Sequence, residues 1–167
     1  MALGRNAKVD LIKSVPLFSR CSKKELAEVA KLADEIDFGP GKELIREGAL
    51  GREFFVLVEG AVTVSRGGRK LADLGPGRSF GEMSFLDGSR ATATVTARDA
   101  VVAYAVSHPT LELLLAERPA LLVRFWKNLA FDLKARLVET NALVEDYADV
   151  QQVLIANPGL RESYLRG

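Results

Sequence analysis

The chain has 167 residues, 48% of them hydrophobic and 27% charged, enough for one domain with its own core and a helical appendage. Its 23 Lys and Arg stand against 22 Asp and Glu, a net charge of +1, so the basic excess that a nucleic-acid backbone selects for is missing. A single cysteine, Cys21, excludes an internal disulfide, and a single histidine, His108, leaves no Cys/His metal cluster and argues against most zinc enzymes and histidine-dependent triads. No apolar run approaches the ~20 residues that cross a bilayer, and the start Met1-Ala-Leu-Gly-Arg-Asn6 has no secretion-type apolar stretch. The expectation is a cytoplasmic domain that is not an enzyme.

Residues 7 to about 34 read as helical. Leu26, Val29, Ala30 and Ala33 recur at helical spacing, and Ser22 with Glu25 three residues later forms a capping-box pattern. A helix over roughly 22–33 follows, with Pro16 dividing it from a shorter helix before it. Residues 35–107 are punctuated by glycine every seven to ten positions, between short β-rich runs at Phe54–Val58, Ala61–Val64, Lys70–Leu74, Thr92–Thr96 and Val101–Val106. Such spacing predicts a sandwich or jelly-roll barrel, with Gly67-Gly68 as a two-residue hairpin turn. From His108-Pro109 a short helix should run to Arg118, because Pro119 restricts the residue before it. Pro119 then opens a long helix whose stripe holds Leu122, Phe125, Trp126, Leu129, Leu133 and Leu137. Asn157-Pro158-Gly159 stops it, and the residues beyond are expected to fray. The domain is placed at 1–137 and a helical extension at 138–167.

The chemistry concentrates between Gly75 and Val95. Glu82 and Arg90 stand at the two ends of a short segment, and Met83, Phe85 and Leu86 would pack one face of a single helical turn against the barrel. Backbone N–H groups from Gly81, Met83 and Ser84, with the Arg90 guanidinium nearby, make an anion pocket, to which Thr92 would add a hydroxyl. Glu82 suits a sugar hydroxyl better than a second anion, because a carboxylate only accepts hydrogen bonds. A ligand with one phosphate and one ribose fits both halves.

Phe80-Gly81-Glu82-Met83-Ser84-Phe85-Leu86 and then Arg90-Ala91-Thr92-Ala93-Thr94 resemble the phosphate-binding cassette of cyclic nucleotide-binding domains, roughly F-G-E-x-[AS]-[LF]-x-x-x-x-P-R-x-A-[TS]. The likeness extends upstream through Val15-Pro16-Leu17-Phe18, Gly48, Gly51, Phe54–Gly60 and Leu74-Gly75-Pro76-Gly77, covering about residues 9–137. The resemblance implies an α+β fold: an eight-stranded antiparallel β-roll (jelly roll) flanked by short N-terminal helices and a long C-terminal helix. It also implies cyclic AMP or cyclic GMP as ligand, with no separate cofactor, Glu82 on the ribose 2′-hydroxyl and Arg90 on the cyclic phosphate. One departure stands out. Aligned without gaps, Arg90 falls on the family's proline and Ala91 on its arginine, and one step along a strand reverses the side-chain direction.

The resemblance further implies that cassette residues such as Leu86 touch the last helix, and that an aromatic residue there, Trp126 or Tyr147, stacks on the base. His108, without partners in the sequence, reads as a cap or surface residue. Leu137, Val144 and Gln151, with Asn141, Ala148 and Ile155, form a weak heptad. A homodimer through this helix is preferred to a helix packed on its own domain. Two functions remain: a cyclic nucleotide-binding module that moves its C-terminal helix to control an effector protein, or a degenerate domain that binds protein without nucleotide. After residue 138 only 29 residues remain with no turn-bearing helix pair, so no DNA-reading head is expected.

Overall fold

The computed structural model describes residues 5–159, so the expected fraying of the last residues lies outside the described part. The chain divides into two compact units at Asn128/Leu129. In the first, α1 (Arg5–Ser14), a short 3-10 turn (Pro16–Phe18) and α2 (Lys23–Leu32) precede the strands. The capping box is present in full: the Ser22 hydroxyl accepts from the Glu25 N–H, and the Glu25 carboxylate accepts from the Ser22 N–H.

Eight strands follow: β1 (Asp34–Phe38), β2 (Glu43–Ile45), β3 (Glu53–Glu59), β4 (Val62–Arg66), β5 (Arg69–Leu74), β6 (Ser79–Phe80), β7 (Thr94–Ala97) and β8 (Val101–Ser107). They form two four-stranded antiparallel sheets, ordered β1-β8-β3-β6 and β2-β7-β4-β5, the jelly roll expected from the sequence. Gly67 and Gly68 both take positive φ and close the β4–β5 hairpin between Arg66 and Arg69. The interior is filled by Phe55, Leu57, Val62, Phe80, Val95, Ala97, Val101, Ala103 and Ala105, with Phe55 stacked on Phe80 at 5.2 Å.

β3 and β8 are buried on both faces, which explains their near-continuous apolar runs. Phe54 meets Phe18 edge-on at 5.9 Å on the face opposite the interior, and Phe18 in turn meets Phe125 at 5.9 Å. This places the first turns of α5 (Pro119–Ala156) against the N-terminal helices, after α4 (His108–Glu117). The buried Asn128 amide donates to the Leu17 carbonyl, 3.0 Å away, so its burial carries no unmet polar group. Arg118 donates to both carboxylate oxygens of Glu28, and Arg124 to both of Glu25. For Glu25 burial works against the charge, but bonds from Ser22 and Arg124 outweigh it and hold the carboxyl below its ordinary value. Buried Cys21 is pushed up to about 11 by desolvation, with Glu25 adding to the rise, so its thiol is no ready nucleophile.

In the second unit α5 is helical from Leu129 through Ala156 and ends at the residue before Asn157, as the sequence indicates. Leu137, Val138, Leu143, Val144, Tyr147, Val150, Val153 and Ile155 are exposed along it.

Candidate functional site

The cassette segment folds as a single short helix, α3 (Glu82–Asp87), set between two left-handed glycines, Gly81 (φ 91°) and Gly88 (φ 68°). Gly81 has no substitute. A Cβ there would sit 2.4 Å from the Glu53 carbonyl oxygen, besides the strain of positive φ. Gly51 answers to a different constraint: a Cβ on it would lie 2.3 Å from the Ser84 Cβ, so the loop before β3 lies directly on α3.

Gly81, Glu82, Met83 and Ser84 thus form one contiguous start of α3. Glu82 is 4% exposed and Ser84 is buried beside it. Met83 departs from the expectation: it is 44% exposed and turned out from the helix, while Phe85 takes the packing role. The Phe85 ring meets Phe125 edge-on at 5.5 Å and lies parallel to Trp126 at 6.3 Å. The aromatic bridge from cassette to last helix therefore runs through Phe85, the neighbour of the Leu86 singled out in the sequence. Trp126, 41% exposed, stacks on a protein side chain here. Tyr147 lies in the second unit and is exposed.

The returning segment is the informative part. Arg90 pairs with Leu50 in an isolated antiparallel bridge. The Ala91 N–H donates to the Ala49 carbonyl and the Gly48 N–H to the Ala91 carbonyl, both at 2.8 Å. Ala91 is buried, whereas Arg90 is exposed and its Nη1 donates to the Gly48 carbonyl at 2.8 Å. Neighbouring residues in extended backbone face opposite ways. The side chain at the family's arginine position is thus a buried methyl group, and the one guanidinium close by in sequence is engaged by a backbone carbonyl. Thr92 is exposed next to it. Asp87 completes the turn: its carboxylate accepts from the Ser89 N–H at 2.9 Å, and the hydrogen bonds from Ser89 hold it below its ordinary value.

The sequence named His108 and Gly51 without giving either a part in holding α3. His108 corrects the expectation of a cap or surface residue: Ser107 caps α4, while the His108 ring is buried, with Nε2 3.1 Å from the Gly81 carbonyl oxygen. A groove of about 730 Å³ lies beside it, lined by Arg52, Glu53, Ser84, Phe85, His108 and Glu112 among others. No group of three or more potential metal ligands occurs among the described residues, and none of their helices is long and apolar enough to cross a membrane.

The model of the cyclic nucleotide-binding domain matches residues 35–118, and the chain belongs to that family. It is 32% identical over 135 residues to the potassium/sodium hyperpolarization-activated cyclic nucleotide-gated channel 2 of Mus musculus, covering 80% of this chain and 15% of the channel. It is 33% identical over 130 residues to glutaminase 2 of Bradyrhizobium diazoefficiens, covering 77% of this chain and 21% of that protein. The chain thus spans only about a fifth or less of the length of these relatives. Among solved structures, the N-terminal domain of a transcriptional regulator from Streptomyces coelicolor A3(2) superposes with a TM-score of 0.68 at 31% identity, over 76% of this chain and 94% of that one. The cAMP-bound PfPKA-R (141-441) structure shares the fold, with a TM-score of 0.63 at 23% identity over 75% of this chain and 46% of that one.

Proposed function

We propose that the domain is a regulatory module whose cassette receives cyclic AMP or cyclic GMP with low affinity, because it holds the cyclic phosphate without an arginine. The observation that carries this reading is the orientation of Arg90, exposed and donating to Gly48, next to a buried Ala91. In this reading Glu82 accepts from the ribose hydroxyl, and the backbone N–H groups of Gly81, Met83 and Ser84, with the Thr92 hydroxyl, are the donors left for the phosphate. A missing charge-assisted hydrogen bond costs roughly 1.5–3 kcal/mol, which is about ten- to over a hundredfold in dissociation constant. The output is a displacement of α3 passed through Phe85 to Phe125 and Trp126 at the start of α5, changing what the long helix offers an effector protein or a second copy of the chain. A signal of this kind requires the nucleotide to bind the two states of α3 unequally. No catalytic step is assigned to any residue.

Calorimetric titration of nucleotide-free protein with cyclic AMP and cyclic GMP tests the reading. Binding weaker than micromolar is expected, lost or sharply weakened in Glu82→Ala and unchanged within about threefold in Arg90→Ala, since a contact that is absent contributes nothing. Micromolar or tighter binding that collapses in Arg90→Ala would show that the guanidinium reaches the phosphate after all. A second reading, a protein-interaction module without nucleotide, is favoured by the way residues 48–49 and 91 close the segment with their own hydrogen bonds. Silence with both ligands, in the wild type and in a variant with the arginine restored, would establish it.

A further inference from the structure

We propose that His108 is a positioning residue of the cassette: its Nε2–H bond to the Gly81 carbonyl fixes the direction in which α3 leaves the barrel. This rests on the reading of α3 as the ligand-bearing helix, and it adds a residue outside the cassette motif to the machinery that holds it.

The geometry around Gly81 is closed on two sides. Its Cα hydrogens face the Glu53 carbonyl so closely that no side chain fits, and its carbonyl oxygen lies 3.1 Å from His108 Nε2. A carbonyl oxygen only accepts, so Nε2 carries the proton in this hydrogen bond. The ring is itself fixed. It is buried, meets Phe85 edge-on at 5.3 Å, and belongs to a residue whose N–H donates to the Arg52 carbonyl at 2.8 Å. His108 therefore grips α3 at both ends of its first turn, at the Gly81 carbonyl and at the Phe85 ring. It does so from the first residue of α4, which leads directly into Pro119 and α5.

On this side α3 also meets the loop before β3, where Gly51 lies on Ser84, and otherwise borders the groove. The groove of about 730 Å³ opens between α3, the start of β3 and the start of α4, and Ser84, Phe85 and Gly88 line it on the α3 side. A six-residue helix has few internal hydrogen bonds, and its position is set by what it is tied to. With His108 bonded, Gly81 keeps one backbone geometry and Glu82 one position. With the bond broken, the groove leaves room for α3 to shift, and the carboxylate moves with it.

The test uses the whole chain and two substitutions. His108→Leu removes the donor while keeping an apolar group beside Phe85; His108→Gln places an N–H donor the same number of bonds from Cα as Nε2. Amide hydrogen exchange is read at Leu86, Asp87 and Gly88, whose N–H groups close α3, and at Ala103 and Ala105 in β8 as a measure of global opening. The expected result is that His108→Leu speeds exchange in α3 by about tenfold or more with the β8 amides unchanged, and that His108→Gln returns α3 to within about threefold of the wild type. Equal acceleration in β8, unchanged exchange in α3, or a glutamine that fails to rescue would each overturn the proposal. In a background with the family arginine restored, cyclic AMP affinity should fall about tenfold in His108→Leu and recover in His108→Gln. The exchange measurement needs no ligand, so it judges His108 even if that background binds no nucleotide.

Discussion

Replacing Arg90-Ala91 by Pro-Arg, the order the family pattern carries, is expected to tighten cyclic AMP binding by about ten- to over a hundredfold relative to the wild type. The backbone around Ala91 is already anchored to Ala49 and Gly48, so an arginine there leaves from a tethered backbone and from the face on which Ala91 now lies. Proline at 90 removes an N–H that no hydrogen bond described here uses and presets an extended backbone. Removing the Arg90 side chain also frees the Gly48 carbonyl, an exposed acceptor that water can satisfy. The gain is read by the same calorimetry as the wild-type titration. An unchanged affinity in a folded variant would mean that the cassette's weakness lies elsewhere than in its missing guanidinium.

Phe125→Ala is expected to remove about 3–5 kcal/mol of stability, the usual cost of emptying a buried phenylalanine site. Phe125 is 1% exposed and touches Phe18 from the N-terminal turn, Phe85 from α3 and Trp126 from its own helix, so no single neighbour can collapse into the space it leaves. In thermal melts this corresponds to a drop on the order of 10 °C or more. Trp126→Ala should cost less, because its ring is already partly in solvent. Equal losses for the two would contradict the view that Phe125 is the keystone between α3 and the start of α5.

The sequence made some of this structure plain and hid the rest for identifiable reasons. β3 and β8 announced themselves because burial on both faces makes them continuously apolar. The Ser22–Glu25 box marked the start of α2 because capping is a local interaction whose partners lie three residues apart. β1, β2 and β6 gave no such signal. β1 carries Asp34, Glu35 and Asp37 around Ile36 and Phe38, β2 has three residues and β6 two, and each is a strand only because a longer strand pairs with it. The count of eight came from the family resemblance and not from periodicity.

The site divides in the same way. The start of α3 at Gly81, Glu82 and Ser84 could be read directly, since the motif and the helix are contiguous. Met83 was misjudged because a one-turn helix has no stripe long enough to fix its buried face. The partner of His108 was invisible because it is a backbone carbonyl 27 residues away, and a carbonyl leaves no mark in the sequence. The offset of Arg90 was legible as a shift of one position. Its meaning was not, until the bridge to Leu50 set which way each side chain faces.

The most direct measurement of the central claim is the nitrogen-15-resolved Nε–H signal of Arg90 followed by NMR while cyclic AMP is added to the full chain. The amides of Met83 and Ser84 report whether ligand has reached α3. The account predicts that these move while the Arg90 signal stays where it is, its guanidinium still on the Gly48 carbonyl. A downfield shift of the Arg90 signal that saturates together with the α3 amides would place the guanidinium on the phosphate and contradict it.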